Sequence, residues 1–457
     1  MSAVPIHARI DRLMRRLASE PQFPTQGQTI FVDLDRQEIR RAYIPRRVVE
    51  TFLGGRGVNM YLLHNLFDPS LEPLHADIPL IFGTGILTSL VPSASRGNVT
   101  SWSPESGVLL DSNAGDYFPS FMKLNGVDHL VLYGKARKWT LLHIEDDEVK
   151  FVDAEPWVGM DNLDLRAAIA TSGENLALCS GIMAGPKAIY ARGGPGAKMG
   201  SLRLKAVVIQ GRSADLTPFR PHKTRNRDVA QKLLSASVIK NAMKVRGTPF
   251  LYKPSRMLGA MGTKNNQETT WTDKLDAENI DPFRPGMEGC FACPVNCRPL
   301  NDLTGCEHVP HDRYIKGDGP EYVTVGKFGP NIGISEVHQV LRLNNICNDL
   351  GLDTASAGSA IAWAMELVQR GIIHPDLDLT WGNYDVIERL LFMTARREGF
   401  GNVIADSSRA VENGHYPPEA LEYLMAVKGL TQSDPHDARI LKAFALGLAV
   451  ATRGMDH

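Results

Sequence analysis

Cysteine is scarce in this chain: six residues in 457, three of them within eight positions. A secreted scaffold stapled by disulfides does not cluster its cysteines this way, so the usage points to a reducing compartment, with the cytoplasm as the expected setting. Long apolar runs are missing too. The most apolar stretch near the end, Ala443 to Ala451, is far shorter than the ~20 residues a membrane-spanning helix needs. Arginines near the N-terminus are not followed by the apolar core of a secretory signal. The formal net charge is only -1, so no global basic field draws the chain to nucleic acid or anionic lipid. Neither a short-period repeat nor a low-complexity tract is found.

What is present is the composition of a globular protein, 43% hydrophobic and 22% charged, long enough for two or three domains with a sizeable core. Ile10, Leu13, Met14 and Leu17 recur at helical spacing, with Arg9, Arg12, Arg15 and Arg16 around them. This predicts a short amphipathic helix docked on its own protein, within an N-terminal extension over residues 1–28. Ile30 to Leu34 reads as a strand, Glu38 to Ile44 as its partner, and a short helix starts near Arg46. Further β-like runs lie at Leu80 to Phe82, Asn98 to Trp102, His129 to Tyr133, Thr140 to Ile144 and Ala206 to Gln210. Past Arg212 the period becomes helical. Val229 to Val238 is closed by Gly247, Ser335 is placed to cap a helix reaching Leu350, and Ala355 to Arg370 stops at Gly371. Asp385 to Arg397 and Glu419 to Val427 continue that pattern. The expected class is α+β: a β-rich domain over residues 29–212, then a mainly α-helical domain over 213–430.

The clustered cysteines are Cys290, Cys293 and Cys297, spaced C-x2-C-x3-C. Thiolate is the ligand form, and ionising three thiols at neutral pH costs roughly 6 kcal/mol, which only a strongly bound metal offsets. Structural zinc prefers two C-x2-C knuckles far apart, and no second knuckle exists here. The order is the reverse of the C-x3-C-x2-C loop of radical S-adenosylmethionine enzymes. An iron–sulfur cluster fits best, because unequal spacings let one loop wrap a cubane. A four-iron cluster takes four thiolates; Cys306 is the nearest remaining candidate and Cys347 the next, while Cys179 falls in the β-rich half. Spacing does not choose among them.

Four glycine-rich stretches carry polar side chains suited to an anion: Gly54-Gly55-Arg56-Gly57, Ser95-Arg96-Gly97-Asn98, Asp111-Ser112-Asn113-Ala114-Gly115 and Ala191-Arg192-Gly193-Gly194-Pro195-Gly196. Glycine lets a backbone approach a ligand, and arginine can grip phosphate bidentately. None is a phosphate-binding G-x4-G-K-[ST] loop or a G-x-G-x-x-G fingerprint, and each alone reads as a turn. In the helical half, Gly319-Pro320-Glu321-Tyr322 sets a carboxylate on a loop. Asn348 to Asp353 ends one helix and precedes the next, with Gly351 suited to a left-handed cap. Ordinary capping explains both, while Asn348 and Asp353 could also read donors on a heterocycle.

Together with Phe52-Leu53, Ser93 to Arg96, Ser172-Gly173-Glu174-Asn175-Leu176 and Arg453-Gly454-Met455-Asp456-His457, these stretches occur in an order that resembles the aldehyde ferredoxin oxidoreductase family, from about Thr29 to the last residue. The resemblance implies a β-rich base for a tungsten bis-pterin cofactor, with molybdenum as an alternative metal, covered by helical domains beside a 4Fe-4S cluster. By position, Arg96, Asn113, Gly115, Arg192 and Gly193 would contact the pterins and their phosphates, bridged by Mg2+. Asn348, Leu352 and Asp353 match a pterin-reading motif, and Cys290, Cys293 and Cys297 match cluster ligands. Glu321 and His457 match residues that handle protons and orient a substrate carbonyl. The implied reaction oxidises an aldehyde to a carboxylic acid and sends electrons through the cluster to a ferredoxin-like acceptor.

Family members continue past the Arg-Gly-x-Asp-His motif, into a part that holds a second pterin-reading motif and the fourth cluster cysteine. Residues 431–457 are therefore read as the start of an incomplete second helical domain. A separate chain is expected to supply the remainder, within an oligomer. Two other readings stay open: a non-catalytic or electron-transfer remnant that keeps only the cluster, and an aromatic acyl-CoA reductase subunit of the same family.

Overall fold

The computed structural model describes residues 4–22, 27–146, 148–165, 168–185, 188–211 and 223–456. Its contacts gather into two units. The first takes Met1–Leu176, Ser180–Gln231 and Cys290–Pro294; the second takes Ala177–Cys179, Lys232–Gly289 and Val295–His457. The architecture is α+β, as expected.

The first unit is built on a mixed sheet of β1 (Gln28–Asp33), β2 (Glu38–Tyr43), β3 (Leu80–Thr84), β4 (Gly97–Trp102), β5 (Leu109–Ala114) and β6 (His129–Tyr133). The strand order is β2-β1-β6-β3-β4-β5. β1 runs parallel to β6 and the other neighbours are antiparallel. Alternate side chains go to opposite faces. Ile30, Val32, Leu80, Phe82, Leu130 and Leu132 enter one core, while Phe31, Ile81, Val131 and Tyr133 enter another. Burial on both faces is why these strands read as unbroken apolar runs rather than as alternating patterns. A second sheet sets β7 (Thr140–Glu145) between β8 (Glu148–Asp153) and the strand Leu204–Gln210.

The N-terminal helix, Ile6–Ala18, buries Ile6, Ile10, Leu13 and Leu17 in the second of those cores together with Val58, Leu62 and Leu66. Arg9 is buried with them, and its guanidinium donates to the carbonyl of Leu66, the last residue of the helix Gly55–Leu66, where carbonyls have no partner within the helix. Burial pulls the Arg9 pKa below its ordinary value, against the opposing charges of Asp68 and Asp77. The helix is thus an integral part of the first unit.

The second unit packs the helices Val337–Leu350, Thr354–Gln369 and Tyr384–Arg396 around a core centred on Trp363, whose indole N–H donates to the Ala420 carbonyl at 2.9 Å. Two local expectations are corrected. The helix ending at Leu350 begins after Glu336, not Ser335, and has no side-chain cap at that end. Glu419 to Val427 forms a 3-10 turn, Pro418–Tyr423, followed by the short strand Ala426–Val427. Pro417 and Pro418 favour the tight turn, and the backbone of Ala426 and Val427 pairs with Leu430 and Thr431 instead of closing helical bonds. Replacing Ile10 by Ala should cost about 2–5 kcal/mol in denaturant unfolding, whereas Arg12→Ala on the exposed face should stay within about 0.5 kcal/mol.

Candidate cofactor site

In the first unit, Arg96, Asn113 and Gly115 lie at one end of the β4–β5 pair, whereas Gly193 packs against Ser103 and Leu110 near the other. Asp111 to Ala114, expected as a loop, is strand: Asn113 pairs with Asn98, and Asp111 with Thr100. Polar side chains take these positions because they bond to one another beneath the sheet end. Buried Asn98 donates to the Asp111 carboxylate at 2.7 Å and to the Asn113 side-chain oxygen at 3.1 Å. It accepts from buried Asn59 at 2.9 Å and from the Thr100 hydroxyl at 2.6 Å. Asn59 in turn faces Nδ1 of His129 at 2.8 Å.

The direction of this chain of bonds is fixed. The Asn59 amide nitrogen donates to Asn98 and to the Ile81 carbonyl, so its oxygen is the acceptor and His129 Nδ1 carries the proton. Burial lowers the His129 pKa to about 4, outweighing the help of Asp128, so the ring is neutral near pH 7. The polarity therefore runs outward from His129. Because Asn113 accepts through its oxygen, the exposed amide presents its N–H2 as a donor. Arg56, at the start of the helix Gly55–Leu66, places Nε 2.7 Å from the buried Asp111 carboxylate, with its outer face exposed. This network of Asn59, Asn98 and His129 was not foreseen; the polar residues interrupting apolar strands at Asn98 and His129 were its only trace in the sequence.

Arg96 is exposed just before β4, and its carbonyl accepts from the Thr88 hydroxyl at 3.0 Å. Arg192 is partly buried, and Gly193, with φ +86°, offers its carbonyl to Ser103 at 2.8 Å before the helix Pro195–Ser201 begins. The cysteine segment Cys290–Pro294 belongs to this same unit. Its anchor is Phe291, whose ring meets Tyr117 and Phe121 edge-on at 5.8 and 6.1 Å. A turn closes through the Cys293 N–H to the Cys290 carbonyl at 3.0 Å. Ser93 reaches Cys293 Sγ at 3.2 Å, and its N–H points to the Ala292 carbonyl. Gly115, immediately after Asn113 and Ala114, leaves room for Cys290: a Cβ there would lie 2.9 Å from Sγ.

In the second unit, Cys297 is partly exposed and its carbonyl is closely approached by Gly247, where a Cβ would fall 2.4 Å from the oxygen. Glu321 is exposed at the N-terminal boundary of the helix Tyr322–Phe328 and accepts from the Thr248 hydroxyl. His457 lies outside the described residues. Asn348 donates to the Asp318 carbonyl at 3.0 Å. Gly351 adopts the expected left-handed cap, with φ +69°, and Leu352 is buried with its N–H on the Cys347 carbonyl at 2.9 Å. Asp353 caps the next helix, accepting from the N–H groups of Ala355 and Ser356 at 3.0 and 3.1 Å and from the Ser356 hydroxyl at 2.8 Å.

The other cysteines differ in environment. Cys179 packs with the second unit rather than the β-rich one, and its carbonyl accepts from Asp353 at 2.8 Å. Cys179 and Cys347 are both fully buried, and desolvation, reinforced by Cys179, pushes the Cys347 thiol well above its usual range. Both are core thiols rather than ready ligands. Burial also raises Cys306, less completely covered.

The residues fit the groups the resemblance implies. Cys290 and Cys293 are partly exposed thiols over a cradle that any side chain at Gly115 would fill, which suits a bulky sulfur-ligated cluster. Among the described residues no three His, Cys, Asp or Glu side chains are grouped closely enough to hold one metal ion, Cys290, Cys293 and Cys297 included. Cys293→Ala is expected to lower iron and acid-labile sulfide in anaerobically purified protein. Cys347→Ala should leave both unchanged while lowering the unfolding midpoint; loss of iron in both variants would contradict the assignment.

Comparison with known proteins places these features in a family. "Aldehyde ferredoxin oxidoreductase, N-terminal domain" matches residues 29–211, and "Aldehyde ferredoxin oxidoreductase, domains 2 & 3" matches residues 225–457. The tungsten-containing aldehyde ferredoxin oxidoreductase of Pyrococcus furiosus is 30% identical over 460 residues, covering 94% of this chain and 73% of the relative. That of Thermococcus kodakarensis is 29% identical with the same coverage. Among solved structures, the active site complex BamBC of benzoyl coenzyme A reductase, in complex with 1,5 dienoyl-CoA, has a TM-score of 0.77 at 24% identity. That match covers 90% of this chain and 66% of the solved one, and it speaks to the fold alone. On both family matches and the relatives' identity, the chain belongs to the aldehyde ferredoxin oxidoreductase family.

Proposed function

We propose that this chain is a tungsten or molybdenum bis-pterin oxidoreductase that oxidises aldehydes to carboxylic acids and passes electrons through a 4Fe-4S cluster to a ferredoxin-like acceptor. The observation that carries the reading is Cys290 lying against Gly115, two residues beyond Asn113. A sulfur-ligated group at Cys290 and Cys293 would then sit beside the polar strand end suited to pterin phosphates.

When bound, the metal–pterin group would supply a two-electron oxidation and the cluster a one-electron exit. The chain's own residues bind and orient. Arg96 and Arg192 offer guanidinium groups to phosphate, Asn113 presents an N–H2 donor held by Asn98, and Gly115 and Gly193 let the backbone come close. Mg2+ is proposed to accompany the phosphates and offset their charge. Asn348, Leu352 and Asp353 would face a pterin ring at a rigid joint between two helices. Glu321 would take a proton from the attacking water, and His457 would hydrogen-bond the substrate carbonyl.

Cys179 and Cys347 are enclosed in the core. Within this sequence Cys306 is the remaining candidate for a fourth cluster ligand, and the chain is proposed to work within an oligomer. No helix among the described residues is long and apolar enough to cross a membrane.

Anaerobically purified protein is expected to carry tungsten or molybdenum in near-stoichiometric amount, together with iron, and to reduce a viologen dye when given aldehydes. Iron without either metal, in protein that takes up no pterin, would overturn the reading in favour of a cluster-only remnant. Turnover of an aromatic acyl thioester in place of aldehydes would move the activity to the reductase branch. Glu321→Gln is expected to lower kcat by roughly 10²–10⁴-fold with metal content unchanged.

A further inference from the structure

The segment Arg246-Gly247-Thr248 is unremarkable in sequence, a glycine after a run of short helical turns, yet in the second unit it is held from three sides. The Arg246 guanidinium forms paired bonds to Asp281, with Nη2 at 2.9 Å and Nε at 3.0 Å, and Nη1 lies 3.2 Å from Glu278. Gly247 has φ +66° and presses on the Cys297 carbonyl so closely that a Cβ would stand 2.4 Å from its oxygen. Thr248 then opens the 3-10 turn Thr248–Leu251.

The Thr248 hydroxyl makes two bonds whose directions are fixed by chemistry. The Tyr322 backbone N–H can only donate, and it lies 2.9 Å from Oγ1. One of the hydroxyl's two lone pairs is thus engaged, and because a carboxylate accepts, its single proton points to Glu321. Glu321 and Tyr322 are consecutive, so one hydroxyl bridges the first turn of the helix Tyr322–Phe328 and the side chain just before it. A glutamate on a loop has three free torsions. A fixed donor on one carboxylate oxygen restricts that freedom.

We infer that Thr248 is a positioning residue: its hydroxyl aims the Glu321 carboxylate, and the clamp of Gly247 on Cys297 ties that aim to the third cysteine of the cluster loop. The catalytic consequence rests on the reading of Glu321 as the proton acceptor. The hydrogen bond itself does not.

Two kinds of measurement on the full-length, cofactor-loaded protein separate these. Thr248→Val keeps the shape and removes the hydroxyl; Thr248→Ser keeps the hydroxyl and removes the methyl. In infrared difference spectra the carboxylate band absent from Glu321→Gln belongs to Glu321. That band is expected to move in Thr248→Val and to stay in place in Thr248→Ser. Kinetically, Thr248→Val should lower kcat about ten- to hundredfold with KM nearly unchanged, and Thr248→Ser should restore it at the same metal and iron content. An unmoved band in Thr248→Val, or equal loss in both variants, overturns the positioning role. Full activity of Glu321→Gln would instead remove Glu321 as the base, while the infrared band still decides what Thr248 does.

Discussion

The candidate centre depends on a sulfur atom being able to rest against a peptide backbone. Cys290 Sγ occupies the space where any side chain at position 115 would put its first carbon, 2.9 Å away. A methyl group there would push the thiol off the strand end or bend the turn that carries Cys293. The neighbouring contacts depend on the same approach. Phe291 can reach Tyr117 and Phe121, and Ser93 can reach Cys293, only while the segment Cys290–Pro294 lies flat on this surface. A glycine in a loop is an unremarkable letter, and this one sets how near the thiols come to the polar strand end.

That strand end is itself held by a run of hydrogen bonds with a single sense of direction. It begins at a neutral, buried His129, passes through Asn59 and Asn98, and ends on Asp111 and Asn113. Amides suit this task because each accepts at one atom and donates at another, so orientation is handed along without burying net charge. Asp111 carries the one buried charge of the run, and Arg56 faces it at 2.7 Å. The exposed groups at the rim are preoriented by residues that never reach the surface.

How much of this could be read in the sequence follows from the range of each signal. The apolar strands and the N-terminal helix were legible, since period-2 and period-3.6 patterns are local and both faces of the sheet are buried. β5 was missed because Asp111-Ser112-Asn113 has the composition of a turn; what makes it a strand is pairing with β4, a partner about a dozen residues away. Glu419 to Val427 failed for a similar reason, since its second half pairs with Leu430 and Thr431. Cys179 was counted with the β-rich half by position, yet its packing lies with the helices. The three clustered cysteines were legible because their spacing is a chemical requirement. Thr248 was not, because its significance arises from a contact with residues more than seventy positions away.

The joint from Asn348 to Asp353 shows why a structural explanation and a functional one need not compete. Capping accounts for Gly351 and for all three bonds the Asp353 carboxylate receives from the next helix. Those bonds also fix the direction of the carboxylate, and the 2.8 Å bond from its own N–H to the Cys179 carbonyl fixes the backbone. Leu352 and the two buried thiols fill the space behind. A side chain asked to read a planar heterocycle must not turn, because a rotation that carried the carboxylate away from the ligand's N–H group would cost about as much as a lost charged hydrogen bond, ~1.5–3 kcal/mol. A helix cap is one of the few devices that immobilises an aspartate without neutralising it. On this view the cap is the means by which Asp353 could recognise a ligand, and its presence in the structure is what the pterin-reading role would require.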